Sequence, residues 1–161
     1  MLHRNHKKMK RKIFIIFAYL LFIHSLLLST CFCSELDIGI GWPYIGIKYN
    51  FSKRFASEIK WATGEGINVY AGRGYWNFRT FDRLKLFTGL EAGYIAFDTL
   101  DIKGTGYESS VFLGGEYFIT RKLSLMLYFS PTFIALNSDE FKIDGIEWLC
   151  NLALYYRLFG K

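Results

Sequence analysis

A strict alternation of apolar and polar side chains dominates the second part of this chain. In residues 122–136 the odd positions are apolar from Leu123 to Ala135, and the even positions include Lys122 and Ser130. Because successive side chains of a β-strand point to opposite faces, this period of two predicts strands. The same alternation is found in six segments: 55–63, 67–79, 83–97, 106–119, 122–136 and 145–159.

Each of these six predicted strands has one face without an ionised side chain. In 145–159 the even positions from Ile146 to Leu158 are all apolar, whereas the odd positions include Glu147 and Arg157. The opposite faces are polar, rich in glycine and sparsely charged. Aromatic side chains concentrate near strand ends on the apolar faces, and the candidate interfacial aromatics are Trp61, Trp76, Trp148 and Tyr156.

Residues 35–51 break the alternation once. Apolar side chains occupy even positions up to Trp42 and odd positions from Ile45 onward, so the register changes at Trp42-Pro43. A tight turn at this point gives two short strands and eight strands in all. A bulge at the proline gives one long strand and seven in all. We expect an all-β, antiparallel, up-and-down barrel of eight strands.

The N-terminal segment has the order of a secretory signal peptide. Residues 1–12 are cationic, 13–28 are apolar and 29–34 contain mostly small residues, which predicts a leader at 1–33 and a barrel domain at 34–161. A lipoprotein cleaved before Cys31 and a retained membrane anchor are the alternatives.

The leader also accounts for the basic charge of the chain. It holds 6 of the 20 basic residues and none of the 14 acidic ones, so 34–161 carries 14 of each. A neutral domain gives no reason to expect a nucleic-acid partner.

Two kinds of β-barrel have strands with alternating apolar and polar residues, and they differ in which face of the sheet contacts water. A soluble lipocalin-like barrel would bury the apolar face, whereas an outer-membrane barrel turns it toward lipid. The charge-free faces favour lipid, because a charge at mid-bilayer costs ~2–4 kcal/mol. In the soluble alternative, the buried core would include Trp61, Leu90, Leu125 and Leu154.

The pattern resembles the small, porin-like outer-membrane β-barrels of Gram-negative bacteria, the class of OmpX, OmpW and the OmpA transmembrane domain. The most specific part is the last strand, WLCNLALYYRLFGK, an amphipathic strand that ends near an aromatic residue. Phe159 is out of phase with the apolar set of this strand, and Gly160-Lys161 follow it. The resemblance implies insertion in the outer membrane, with lipid, the secretion apparatus and the barrel-assembly machinery as partners.

The connections between the predicted strands alternate in length. Short turns lie near 52–54, 80–82 and 120–121, and the other rim carries 64–66 and the longer segments 98–105 and 137–144. Short turns on one rim and longer loops on the other are typical of outer-membrane barrels. We expect the second set at the cell surface, where an unidentified partner would contact it.

Inward-facing charges are expected to fill the lumen. Counting back from residue 79 opposite 85 places Arg73 opposite Glu91, and burial requires that the two form a salt bridge. The expected lumen charge network, with a structural role, is Arg73, Glu91, Glu58, Lys60 and Glu116. The wider inward set adds Lys48, Lys85, Glu108, Tyr128 and Glu147.

The domain lacks most of the side chains that catalysis requires. All three histidines precede residue 34, and Cys150, on the lipid face, is the one cysteine that follows it. No metal or cofactor motif is present, and Ser57 and Lys60 of an S-x-x-K match would face opposite sides of a strand. We therefore expect a structural or surface-interaction role without catalysis. The alternatives are a narrow channel, a barrel for a small apolar ligand, or a soluble lipocalin-like binding barrel.

Overall fold

The chain folds into one closed antiparallel sheet of eight strands. The computed structural model describes residues 35–99 and 102–160, and the predicted signal peptide at 1–33 lies outside them. The strands are β1 (Glu35–Gly41), β2 (Tyr44–Asn50), β3 (Phe55–Gly64), β4 (Ile67–Phe81), β5 (Leu84–Thr99), β6 (Ile102–Phe118), β7 (Leu123–Ser138) and β8 (Lys142–Phe159). Each strand pairs with the next, and β8 pairs with β1 to close the barrel. In the described ranges, no helix has the length and apolarity needed to span a bilayer.

The change of register at Trp42-Pro43 is a turn between two strands. β1 and β2 pair from Glu35 opposite Asn50 to Ile40 opposite Ile45. Proline fits this turn because it cannot donate a hydrogen bond to a ladder. The prediction of an eight-stranded up-and-down barrel is confirmed, and the seven-strand alternative is wrong.

The predicted apolar faces lie on the outside of the barrel. Leu90 is 66% exposed, while Glu91 beside it is 7% exposed. The soluble alternative is wrong on this point, because its expected core residues Trp61, Leu90, Leu125 and Leu154 are all exposed. The period of two therefore separates an apolar exterior from a polar interior along the strands.

The predicted long loops at 98–105 and 137–144 are wrong. β5 continues to Thr99 and β6 begins at Ile102, and the turn between β7 and β8 has only the three residues 139–141. Ladder pairs such as Asp98 opposite Lys103 and Asn137 opposite Lys142 extend through both segments. The polar composition of these segments reflects exposure of the side chains, while the backbone at 98–99, 102–105, 137–138 and 142–144 is paired in the sheet.

The two rims of the barrel differ in charge. The basic rim comprises the turns 51–54, 82–83 and 119–122, and these turns carry five cationic residues against one acid, Asp82. The acidic rim comprises the described turns 42–43, 65–66 and 139–141, whose charged residues are Glu65, Asp139 and Glu140. Glu35 and Gly160, the ends of the described barrel, both lie at the basic rim, as an even number of strands requires.

The wall of the barrel is uneven toward the acidic rim. β1 and β2 have 7 residues each, whereas β8 has 18. The ladder between β1 and β8 ends at Gly41 opposite Ala153, so residues 142–152 of β8 extend past the end of β1. The prediction that Glu147 lies in the lumen is wrong. Its side chain is exposed, because β1 does not cover this part of β8.

A β-bulge near the end of β8 explains why Phe159 is out of phase with the apolar residues before it. Asp37 pairs with Arg157, but Leu36 pairs with Phe159, so the register shifts by one residue between them. Leu158 and Phe159 are then both exposed at the basic rim. The C-terminal aromatic side chain is thus exposed although it breaks the alternation.

We predict that Gly89→Ala destabilises the barrel by about 1–3 kcal/mol, the usual cost of overpacking. A Cβ at this position would meet the Gly74 carbonyl oxygen and the Phe112 ring, and backbone cannot move aside as a flexible side chain does. Urea unfolding in detergent micelles, followed by tryptophan fluorescence, measures the change. The control is Gly72→Ala, where a Cβ has no heavy atom within 4 Å. Equal stabilities of the two variants would contradict the prediction.

Candidate functional site

The interior of the barrel is more polar than the core of a soluble domain. Among the described residues, 14 polar or charged residues are buried, compared with 12 hydrophobic ones. The buried charged residues are Asp37, Lys48, Glu58, Lys60, Arg73, Glu91, Glu108 and Glu116. Buried charges need partners, and their pairing determines what this interior can do.

Arg73 is the centre of the larger group of charges. Its Nε donates to Glu91, its Nη1 lies 3.4 Å from Glu58 Oε2, and its Nη2 donates to the Tyr128 hydroxyl. The planar guanidinium thereby joins β3, β5 and β7 from its own position on β4. Its fixed fork of donors suits it to this role better than a lysine.

The predicted pairing of Arg73 with Glu91 is present in the structure. Arg73 lies opposite Glu91 in the ladder between β4 and β5. The anchor of that count is wrong, because Arg79 pairs with Leu86 and not with Lys85. A bulge between Asn77 and Arg79 shifts the register near the turn and leaves the pairs beyond it unchanged.

Glu58 is held by hydroxyl groups as well as by Arg73. Tyr75 donates to Glu58 Oε2, and Tyr155 donates to Glu58 Oε1 at 2.5 Å. The Tyr44 hydroxyl lies 3.4 Å from that of Tyr155 and extends the set. Sequence reasoning missed these three tyrosines as partners. The available signal was a phenol on the charged face, since such a group can donate to a buried carboxylate.

Lys60 connects the central cluster to a third carboxylate. Its Nζ donates to Glu91 Oε1 and lies 3.4 Å from Glu108 Oε1. Glu108 Oε1 and Ser110 Oγ are buried without a hydrogen-bond partner in the described part of the chain. The central cluster, defined as Glu58, Lys60, Arg73, Glu91 and Glu108, therefore has one more carboxylate than cations.

Glu116 lies apart from the other four residues of the expected network. It accepts hydrogen bonds from Lys48 at 2.9 Å and Ser124 at 2.7 Å, and Lys85 lies 3.9 Å away. The expected network is therefore two groups, one around Arg73 and one around Glu116.

Apolar side chains pack beside both groups of charges. The Tyr75 ring centroid lies 5.0 Å from that of Phe112 and 5.4 Å from that of Phe87, and Met126 is fully buried among the same residues. Such edge-on contacts are favourable for aromatic rings. The charged side chains are thus held beside packed apolar side chains.

The candidate interfacial aromatics all lie on the outer surface. Trp61 stacks on Tyr70 with centroids 6.5 Å apart near the acidic rim, and Trp76 packs against Phe78 at 6.2 Å near the basic rim. Tyr156 lies opposite Leu123, the first residue of β7, and so also near the basic rim. Trp148 lies in the part of β8 that extends past β1.

The described residues contain no group of three or more histidine, cysteine, aspartate or glutamate side chains placed to hold a metal ion. What the interior supplies is a set of paired charges on several strands. Arg73 on β4 pairs with Glu91 on the adjacent β5, whereas Lys48 on β2 pairs with Glu116 on β6 across the interior. This arrangement cross-links the wall of the barrel from within.

Comparison with known proteins gives a likeness of fold. No protein-family model and no curated protein matches the chain. Among solved structures, the N-terminal β-barrel domain of Pseudomonas aeruginosa OprF is similar over 78% of this chain and 95% of that one, with 12% sequence identity and a TM-score of 0.48. The placement of apolar and charged side chains is what indicates the environment of this barrel.

We predict that Arg73→Met lowers the free energy of unfolding by about 3–5 kcal/mol, because it leaves Glu58 and Glu91 buried without their main partner. Chemical unfolding of the detergent-solubilised barrel measures the loss. Arg79→Met on the same strand is the matched control, because Arg79 is exposed and outside both clusters. A loss below about 1 kcal/mol, the level of a surface pair, would show that Arg73 does not hold the interior together.

Proposed function

We propose that this protein is an integral outer-membrane β-barrel with a structural or surface-interaction role and without catalysis. The observation that carries the proposal is the inverted distribution of side chains. The exterior of the described barrel exposes 33 large hydrophobic residues, while eight charged residues are buried inside it. Soluble monomers rarely expose apolar patches beyond a few hundred Å². A closed barrel also pairs its backbone groups around the whole ring, as lipid requires.

The proposal includes a lumen filled by side chains. An eight-stranded barrel has an interior just wide enough for its own side chains. Here Arg73 and Glu58 cross that interior and are packed against buried tyrosines. This packing supports a plugged barrel over a narrow channel or an apolar ligand site. Planar-bilayer recordings that show discrete conductance steps would favour the channel.

The proposed orientation places the basic rim in the periplasm. Both ends of the described barrel lie at that rim. When hairpins insert into the membrane from the periplasm, the chain ends stay on the periplasmic side. The acidic-rim turns 42–43, 65–66 and 139–141 would then cross the bilayer. Each has only two or three residues, so the surface offered to a partner consists of turns and strand ends.

Expression of the full chain, with its own leader, in a Gram-negative host tests the proposal. We expect the protein in the outer-membrane fraction, with faster gel migration in unboiled samples than in boiled ones. A protein that fractionates with the soluble periplasm and stays folded without detergent would contradict the proposal.

We predict that Leu90→Lys destabilises the barrel in lipid vesicles by about 2–4 kcal/mol, the cost of a lysine near the bilayer midplane. Leu90 lies near the middle of β5 on the outer face. The control is Ile67→Lys at the first residue of β4, where a cation at the interface should cost at most about 1 kcal/mol. In a water-exposed barrel, neither substitution would be costly. Equal stabilities of the two variants would therefore contradict the proposal that the outer face contacts lipid.

A further inference from the structure

A large cavity opens at the basic rim. Its volume is about 1160 Å³, and it is lined by all three basic-rim turns and the adjoining ends of β5, β6 and β8. Two acidic residues, Glu35 and Asp82, line it. The cationic lining residues are Lys53, Arg83, Lys85, Arg121, Lys122 and Arg157. This basic mouth, defined by those six cations, therefore carries a formal excess of four positive charges.

Most of the cations in the basic mouth have no carboxylate partner. Arg157 pairs with Glu35 at 2.7 Å and with Asp37 at 3.2 Å, and Lys85 lies 3.9 Å from Glu116. The remaining four form no ion pair within 4.0 Å to another described residue. Unneutralised charges of one sign around a concave surface focus the electrostatic field and raise the local concentration of counter-ions.

The inner end of the basic mouth is occupied by packed side chains. Lys85 Nζ lies 5.0 Å from the Phe118 ring centroid, and the Arg157 guanidinium carbon lies 5.6 Å from it. Behind them, Glu116 is held by Lys48 and Ser124. A cavity with such a floor holds a ligand at the rim and does not pass it through the barrel.

We propose that the basic mouth binds phosphate groups. A multiply charged phosphate can accept from several cations at once, and three separate turns present lysine and arginine side chains to the same cavity. Arginine forks match phosphate oxygens in pairs, and lysines add point charges. The sources of phosphate rest on the proposed orientation: headgroups of anionic lipids in the inner leaflet, or soluble phosphates in the periplasm.

Inorganic pyrophosphate is the probe for this site. Calorimetric titration uses the barrel purified from outer membranes in non-ionic detergent, at low and at high salt. We expect binding that weakens as salt increases, and that falls about tenfold when one cationic pair, Arg121→Gln with Lys122→Gln, is neutralised. Both residues are exposed, and the unboiled gel shift checks that the variant is folded.

A matched double variant controls for net charge. Lys103→Gln with Lys142→Gln removes the same two charges near the opposite rim, where Lys103 already pairs with Asp98 at 2.8 Å. We expect this variant to bind pyrophosphate as the unaltered protein does. The proposal is overturned if the protein shows no binding at low salt, or if both double variants lose affinity equally.

Lipid nanodiscs separate the two sources of phosphate. In discs of phosphatidylcholine we expect pyrophosphate binding as in detergent. Loss of that binding in discs that contain phosphatidylglycerol identifies lipid headgroups as the occupant, whereas unchanged binding identifies a soluble phosphate. No binding in phosphatidylcholine discs would overturn the site. Failure of membrane insertion would be recognised separately, as the absence of the gel shift.

Discussion

The pairing of charges inside the barrel is the constraint on which the rest of this structure depends. Once the apolar faces point outward, the inward positions face one another across a narrow space. A buried carboxylate such as Glu58 is tolerable there because Arg73, Tyr75 and Tyr155 all donate to it. The contact between Tyr155 and Glu58 also joins β8 to β3 across the interior, although these two strands do not pair in the sheet. An apolar interior of the same volume would supply no such directional contacts.

The sequence predicted the architecture and the orientation of faces well, because both follow from one local rule. The period of two assigns Leu90 to the outside and Glu91 to the inside without knowledge of any partner strand. The pairing of Arg73 with Glu91 was also accessible, because a hairpin relates its two strands by simple counting. The count started from a wrong pair, Arg79 with Lys85, but still gave the correct partner of Arg73. The bulge between Asn77 and Arg79 changes only the pairs near the turn.

What the sequence did not predict depends on the neighbours of each residue. The segments 98–105 and 137–144 look like loops because their side chains are polar, yet pairing of the backbone makes 98–99, 102–105, 137–138 and 142–144 parts of strands. Glu147 has the inward phase but is exposed, because β1 ends at Gly41 and leaves that part of β8 uncovered. The separation of Glu116 from the Arg73 group runs along the strands, because Glu108 of that group and Glu116 both lie on β6, eight residues apart.

The distribution of charge along the barrel axis links the interior to the rims. The Arg73 group has three carboxylates and two cations, whereas the basic mouth has an excess of cations around a floor at Phe118. An excess of cations can persist at the rim because water and ions reach it and screen it, whereas the charges of the interior are buried and depend on their partners. A rim whose charges are not neutralised from within must obtain its counter-charges from outside the barrel. The interior is therefore suited to holding the barrel together, and the basic rim is the part of the described chain best suited to binding.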